Sequence, residues 1–262
     1  MELGLDLIGL LMAAAFVAST IDAIAGGGGM ITIPALLAAG IPPVAAIATN
    51  KLQSTFGTGG AVIAFARKGH IDFRRFAFPA VAAFVGSALG AFILTRIDSG
   101  FLSAILPVLL IAMAIYFAVA PKMSDEDRHS RAGASILIAL VMVIGAYDGF
   151  FGPGTGSFFI TTLVAVFGMG LIRAVAHTKL LNFASNLAGL AVLITGGHVL
   201  WVLGFCMALA SIAGAQVGAY AAMRFGAGAA RTLLIVMSLG LTLKILTDPG
   251  NPLTAAARAW LS

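Results

Sequence analysis

The sequence predicts an all-α polytopic membrane protein of two inverted repeats, each with a glycine-broken helix and half-helix: about eight full spans plus two short elements. Three observations carry this expectation. Of its 262 residues, 60% are hydrophobic and only 10% charged, whereas soluble domains carry about 25% charged residues. Mean hydropathy is +1.06. The apolar runs have the length of spanning helices, and the alternation over about ten residues that a membrane barrel needs is absent. The third observation is a motif that occurs twice. Asp22 precedes Gly26-Gly27-Gly28-Gly29, and Asp148 precedes Gly152-Pro153-Gly154-Thr155-Gly156. A carboxylate followed by a helix break is costly in lipid, so two copies point to a use.

Taken in order, the first half offers apolar segments at 5–25, 31–39, 44–66, 76–94 and 101–120, then a polar link at 121–131. The second half repeats the series at 134–151, 157–167, 174–195, 200–223 and 232–247. No stretch is long enough for a soluble appendage, so residues 1–262 read as one membrane domain, with repeats over about 1–120 and 132–250. The N-terminus carries Glu2 and Asp6 where a secretory signal carries basic residues, and reads as the start of the first span. The single cysteine, Cys206, lies in an apolar run, which leaves no disulfide framework and no CxxC pair.

An offset of 126 pairs Asp22 with Asp148, Gly26 with Gly152 and Gly28 with Gly154. After a two-residue insertion the offset becomes 128. It then pairs Lys51 with Lys179, Gly69-His70 with Gly197-His198, and Gly86 and Gly90 with Gly214 and Gly218. A colinear series of this kind indicates repeats. Basic residues decide their orientation. If the short second element of each half switches sides, Arg67, Lys68, Arg74, Arg75, Lys122, Arg128, Arg131, Arg173, Arg224 and Arg231 share one face, against Arg96 and Arg258. If both short elements dip and return, the bias is weaker. The positive-inside rule favours the first arrangement, inverted repeats with both termini outside.

Each glycine break precedes a half-helix, directing unpaired N–H groups and a positive dipole end into the protein, an arrangement that suits an anion. Glycines that only permit close helix packing are spaced, as in Gly86-x-x-x-Gly90 and Gly214-x-x-x-Gly218, whereas four in a row dismantle a helix. Lys51 and Lys179 lie inside long apolar segments. Helical spacing aligns Lys51 with Ser54, Thr55 and Thr58, beside Asn50, and Lys179 with Asn182, Asn186 and Gly189, beside His177 and Thr178. Such stripes suit a cavity wall; the alternative is a lysine snorkelling to the interface. For Asp22 and Asp148 two readings stand. They exchange a proton during a cycle, or they are fixed partners of the lysines or caps of the broken backbone. His70 and His198 read as interfacial anchors. No HExxH, GxSxG or Walker loop is present, so no metal, cofactor, nucleic-acid partner or catalytic residue is expected.

The runs Gly26-Gly27-Gly28-Gly29-Met30-Ile31-Thr32-Ile33-Pro34, Ala48-Thr49-Asn50-Lys51-Leu52, residues 149–158 and Lys179-Leu180-Leu181-Asn182 resemble the TauE/SafE family, sulfite exporter or anion permease membrane proteins. The resemblance covers nearly the whole chain. It implies a multi-pass transporter of the bacterial cytoplasmic membrane that moves small sulfur-containing anions such as sulfite, sulfoacetate or related sulfonates, with export the expected direction and proton exchange the expected drive.

On this reading Gly26, Gly27, Gly28, Gly29, Asn50, Lys51, Gly152, Pro153, Gly154, Thr155, Thr178, Lys179 and Asn182 bind the anion, and Asp22, Asp148 and His177 are the candidates for proton coupling. The expected partners are the anion and the lipid bilayer. The Gly214 to Gly218 face packs helices within one chain or in a homodimer. A passive anion channel and an intramembrane enzyme acting on a sulfur compound are the alternatives, the second disfavoured by one cysteine and no cofactor motif.

Overall fold

A computed structural model describes residues 4–119 and 133–225, which are helical apart from short connections. The first half holds α1 (Leu5–Ala25), α2 (Gly29–Ala38), α3 (Pro43–Arg67), α4 (Phe73–Leu94) and α5 (Ser99–Val119). The second holds α6 (Ala134–Phe150), α7 (Thr155–Thr161) with a π-helical turn at Thr162–Val166, α8 (Leu171–Thr195) and α9 (Trp201–Phe225). These match the first nine apolar segments read from the sequence. The tenth segment, 232–247, the link at 121–131 and the basic residues in both lie outside the described residues.

Among the described residues, four helices are long and apolar enough to cross a membrane: α1, α4, α8 and α9. The surface is correspondingly apolar. Phe78, Val81, Val202 and Leu209 are each at least 60% exposed, while Lys51 and Lys179 are fully buried. That inversion of the soluble pattern suits helices facing lipid around a polar interior.

Local chemistry sets the element ends. Pro43 starts α3, where its missing N–H costs nothing. Asp72 caps α4 by accepting the Arg75 N–H at 3.0 Å. Gly26 closes α1 at φ 76°, a conformation open to glycine, and its N–H donates to the Asp22 carbonyl at 2.8 Å.

The helices of the two halves interleave. α1 packs on α9 and α4 on α6, while α3 lies against α8 and α9 and α8 against α4. Each half therefore buries its first helix against the fourth helix of the other. The closest approaches use matched glycines. A Cβ on Gly86 or Gly90 would strike the carbonyl oxygens of Met142 and Ala146; on Gly214 or Gly218 it would strike those of Phe16 and Thr20. The target residues are themselves related by the offset of 126. Hence the Gly214 to Gly218 face is occupied inside the chain.

At the centre, α3 and α8 cross in opposite directions. Phe183 abuts Gly59, whereas Lys51 lies against Gly189. Two bonds tie their starts to the far ends of the opposite half: the Asp72 N–H donates to His177 Nε2 at 3.0 Å, and the Leu200 N–H to Thr49 Oγ1 at 3.2 Å. α5 covers the first break, with Leu102, Leu106 and Leu110 buried in one core with Met30, Ile33 and Leu190.

Replacing Gly86 or Gly214 by Val is expected to destabilise the protein by about 1–3 kcal/mol in each case, because the added side chain meets unyielding backbone. Thermal unfolding in detergent checks this. Gly9→Ala, with nothing within 4 Å of the new methyl, is the control expected to leave the transition unchanged.

Candidate functional site

The two breaks meet. A Cβ on Gly26 would lie 2.5 Å from the Gly156 carbonyl carbon, one on Gly29 3.2 Å from Pro153 Cα, and the Ser157 hydroxyl donates to the Ala25 carbonyl at 2.8 Å. Tyr147, on the last turn of α6, donates its hydroxyl to the Pro153 carbonyl at 2.6 Å. Helix ends leave backbone groups unpaired, and here much of that deficit is met by the opposite half.

Around this junction four charges, Asp22 partly buried and the other three buried, pair crosswise. Lys51 Nζ on α3 lies 2.8 Å from Asp148 Oδ2 on α6, and Lys179 Nζ on α8 lies 2.8 Å from Asp22 Oδ2 on α1. Lys179 also donates to the Asp22 carbonyl, and Lys51 to Asn186 Oδ1 at 3.1 Å. Two lysines against two aspartates leave the site electrically neutral. In a medium of low dielectric an unpaired member would be strongly disfavoured, so each pair secures the burial of the other half's charge.

The aspartates do not have equal surroundings. Asp22 Oδ1 accepts N–H bonds from Gly27 at 2.9 Å and Gly28 at 3.1 Å. Those two donors, which the sequence offered to an anion, are therefore occupied by the protein's own carboxylate. Asp148 is 3% exposed and accepts no backbone N–H among the described residues.

A small cavity open on one side lies between α1, α3, both breaks and α8. Of the residues singled out in the sequence, Asp22, Gly27, Gly28, Gly29, Asn50, Asp148, Gly152, Thr155 and Asn182 line it. Gly26, Lys51, Pro153, Gly154, Thr178, Lys179 and His177 do not. Lys51 and Lys179 stand behind the wall, and Lys51 is close to it. A Cβ on Gly152 would lie 3.4 Å from both Lys51 Nζ and Asp148 Oδ1.

Neutral donors complete the wall. Asn50 Oδ1 accepts from Thr32 at 2.5 Å and from Gln53 at 2.9 Å, so its amide N–H groups have no acceptor among the described residues. Gln53 also accepts from Ser211, which holds it in place. Thr178, behind the wall, is fully buried, and its hydroxyl has no hydrogen-bond partner among the described residues.

His177 stands apart from the cavity. Its Nε2 accepts from the Asp72 N–H and its Nδ1 faces the Arg173 carbonyl at 2.7 Å, with the ring against Phe76. The matching position in the first half is Thr49, which accepts the Leu200 N–H with a hydroxyl. At both positions a side chain thus accepts a backbone N–H from the opposite half.

Sequence reasoning missed Gln53 and Tyr147. Both are polar side chains within two residues of a buried charge, and that proximity was the signal available.

The comparisons with known proteins agree with this architecture. The family described as sulfite exporter TauE/SafE matches residues 11–245. A probable membrane transporter protein ORF9 of a Sinorhizobium species is 47% identical, covering 99% of this chain and 98% of its own. A probable membrane transporter protein of Haemophilus influenzae is 45% identical over 95% of this chain and 98% of its own. The probable membrane transporter protein YfcA of Escherichia coli is 40% identical over 92% of this chain and 90% of its own. No solved structure matches the chain. With a match over nearly its whole length, this chain belongs to the sulfite exporter TauE/SafE family of membrane transporters.

Proposed function

We propose that this protein is a secondary transporter of small sulfur-containing anions, such as sulfite, sulfoacetate or related sulfonates, working outward across the bacterial cytoplasmic membrane and coupled to protons. The observation that carries the reading is the pair of crossed lysine–aspartate bridges beside a cavity floored by two broken helices. A buried lysine is a strong ligand for an oxyanion once its carboxylate partner is neutralised, and the amides of Asn50 and Asn182 add neutral donors. A channel would have no need for a buried ion pair, Lys51 with Asp148, at the cavity wall.

We further propose an inverted-repeat topology of about eight spans and two short elements. The opposite crossing of α3 and α8 and the exchange of first and fourth helices between halves support it. So does the Asp72–His177 bond, which brings the basic link after α3 next to the first turns of α8, where Arg173 lies. Arg67, Lys68, Arg74, Arg75 and Arg173 on one side is the distribution the positive-inside rule expects of a cytoplasmic face. Rocking of the halves about the crossing would open the cavity to each side in turn.

Three outcomes test this reading. In proteoliposomes, flux of sulfite and of a short sulfonate is expected to respond to an imposed pH gradient. The Lys51→Ala, Asp148→Asn double variant is expected to carry at least about tenfold less; unchanged flux in it would remove the lysine from the site. Stability follows a separate pattern. Lys51→Ala alone, leaving Asp148 buried without a partner, is expected to lose about 3–5 kcal/mol in denaturant unfolding, and adding Asp148→Asn is expected to recover most of it. Topology is read by cysteine labelling in a Cys206→Ala background. Cysteines at Lys68 and Arg173 are expected to react with an impermeant maleimide from the same side, and one at Arg96 from the other.

A further inference from the structure

The two halves differ at one position in a way that assigns the proton. The offset of 126 that pairs Asp22 with Asp148 also pairs Gly27 with Pro153 and Gly28 with Gly154. In the first half the Gly27 and Gly28 N–H groups both donate to Asp22 Oδ1 while Lys179 holds Oδ2, so three donors fix that carboxylate in place. In the second half Pro153 has no N–H to give. Gly154 turns into the left-handed region at φ 82° where Gly28 is right-handed helical at φ −52°, and its N–H makes no bond to Asp148 among the described residues. The Pro153 carbonyl is instead taken by Tyr147. Among the described residues Asp148 thus has Lys51 as its one ion-pair partner and no backbone donor, and it lines the cavity.

Resting on the transporter reading above, we infer that Asp148 carries the coupling proton and that Lys51 is the cation the anion binds, while the Lys179–Asp22 bridge stays closed as a structural clasp. The step conserves charge. Before binding, Lys51 (+1) and Asp148 (−1) sum to zero. A proton adds to the Asp148 carboxylate, making it a neutral acid and releasing the Lys51 ammonium; a monovalent sulfonate then takes its place against Lys51, and the sum is again zero. No uncompensated charge is held in the membrane interior at either stage. Anion and proton therefore occupy the site together and cross in the same direction. The sum of their gradients drives transport, in place of an exchange of one for the other, so outward movement draws on the anion's own outward gradient against the inward pull of the proton.

Among the described residues the other ionisable groups facing Asp148 are few. They are Lys51 on α3, the Asp22–Lys179 pair across the cavity from α1 and α8, and the neighbouring Tyr147, whose hydroxyl is engaged. α4 has no ionisable residue beyond Arg75, and α7 has none. On α8, His177 is fixed between Asp72 and Arg173.

The test uses methanesulfonate, whose single charge does not change with pH, and the purified full chain. Calorimetry in two buffers of different ionisation enthalpy gives the protons taken up per anion bound. We expect about one for the native protein, about one for Asp22→Asn or a protein too unstable to purify, none for Asp148→Asn, and about one again for Asp148→Glu. Anion binding without proton uptake in the native protein, or uptake that persists in Asp148→Asn, overturns the assignment. Infrared difference spectra of acidification need neither the anion nor a folded Asp22 variant. The band of a protonated carboxyl is expected in the native chain and lost in Asp148→Asn; its survival there would place the proton elsewhere. Failure of methanesulfonate to bind or move, with the band still lost in Asp148→Asn, would overturn the anion reading and leave the proton site standing.

Discussion

Everything in this fold depends on keeping two lysines and two aspartates in a place where water cannot reach all of them. In a low-dielectric interior a single buried charge is prohibitive and a pair is tolerable only with good geometry and further hydrogen bonds. The chain meets the condition by making each bridge between halves: Lys51 with Asp148, and Lys179 with Asp22. Neither half can bury its own charge alone. The packing of α1 on α9 and α4 on α6, with glycines that let backbone touch backbone, follows from the need to bring those partners within 2.8 Å.

The breaks are the second consequence. A continuous helix through the centre would have no free backbone group and no room for a ligand. Interrupting α1 and α6 creates both, and the cost of the exposed groups is offset locally by Asp22, Ser157 and Tyr147. The first break is closed on its own aspartate and the second is not. The two halves thereby hold their aspartates differently, and the difference coincides with proline standing where the other half has glycine.

The same comparison of halves separates anchoring from chemistry elsewhere. His177 and Thr49 occupy matching positions and accept equivalent N–H groups, so the histidine's ring nitrogens are spent on holding α4 to α8. Lys51 and Lys179 also match, yet Lys179 is held by both the carboxylate and the carbonyl of Asp22, while Lys51 shares its ammonium between Asp148 and the amide of Asn186. Matched residues with unmatched partners are where the two halves have taken different roles.

Class, element order and the positions of the charged residues were available from the amino-acid sequence, because each depends on local chemistry. Hydropathy marks the segments, glycine runs mark the breaks, and a lysine in an apolar run signals a buried partner without naming it. The family resemblance rested on those same local runs. Pairing was a matter for the tertiary structure alone. Periodicity places Lys51 beside Asn50 and in line with Thr55 on one helix, but it carries no information about which aspartate, 97 residues away, lies opposite. Nor does it reveal that the N–H groups of Gly27 and Gly28 are consumed by Asp22, or that both lysines stand behind the cavity wall. Such facts come from contacts between distant segments, and those are decided by which helices can approach closely enough to cancel one another's charge.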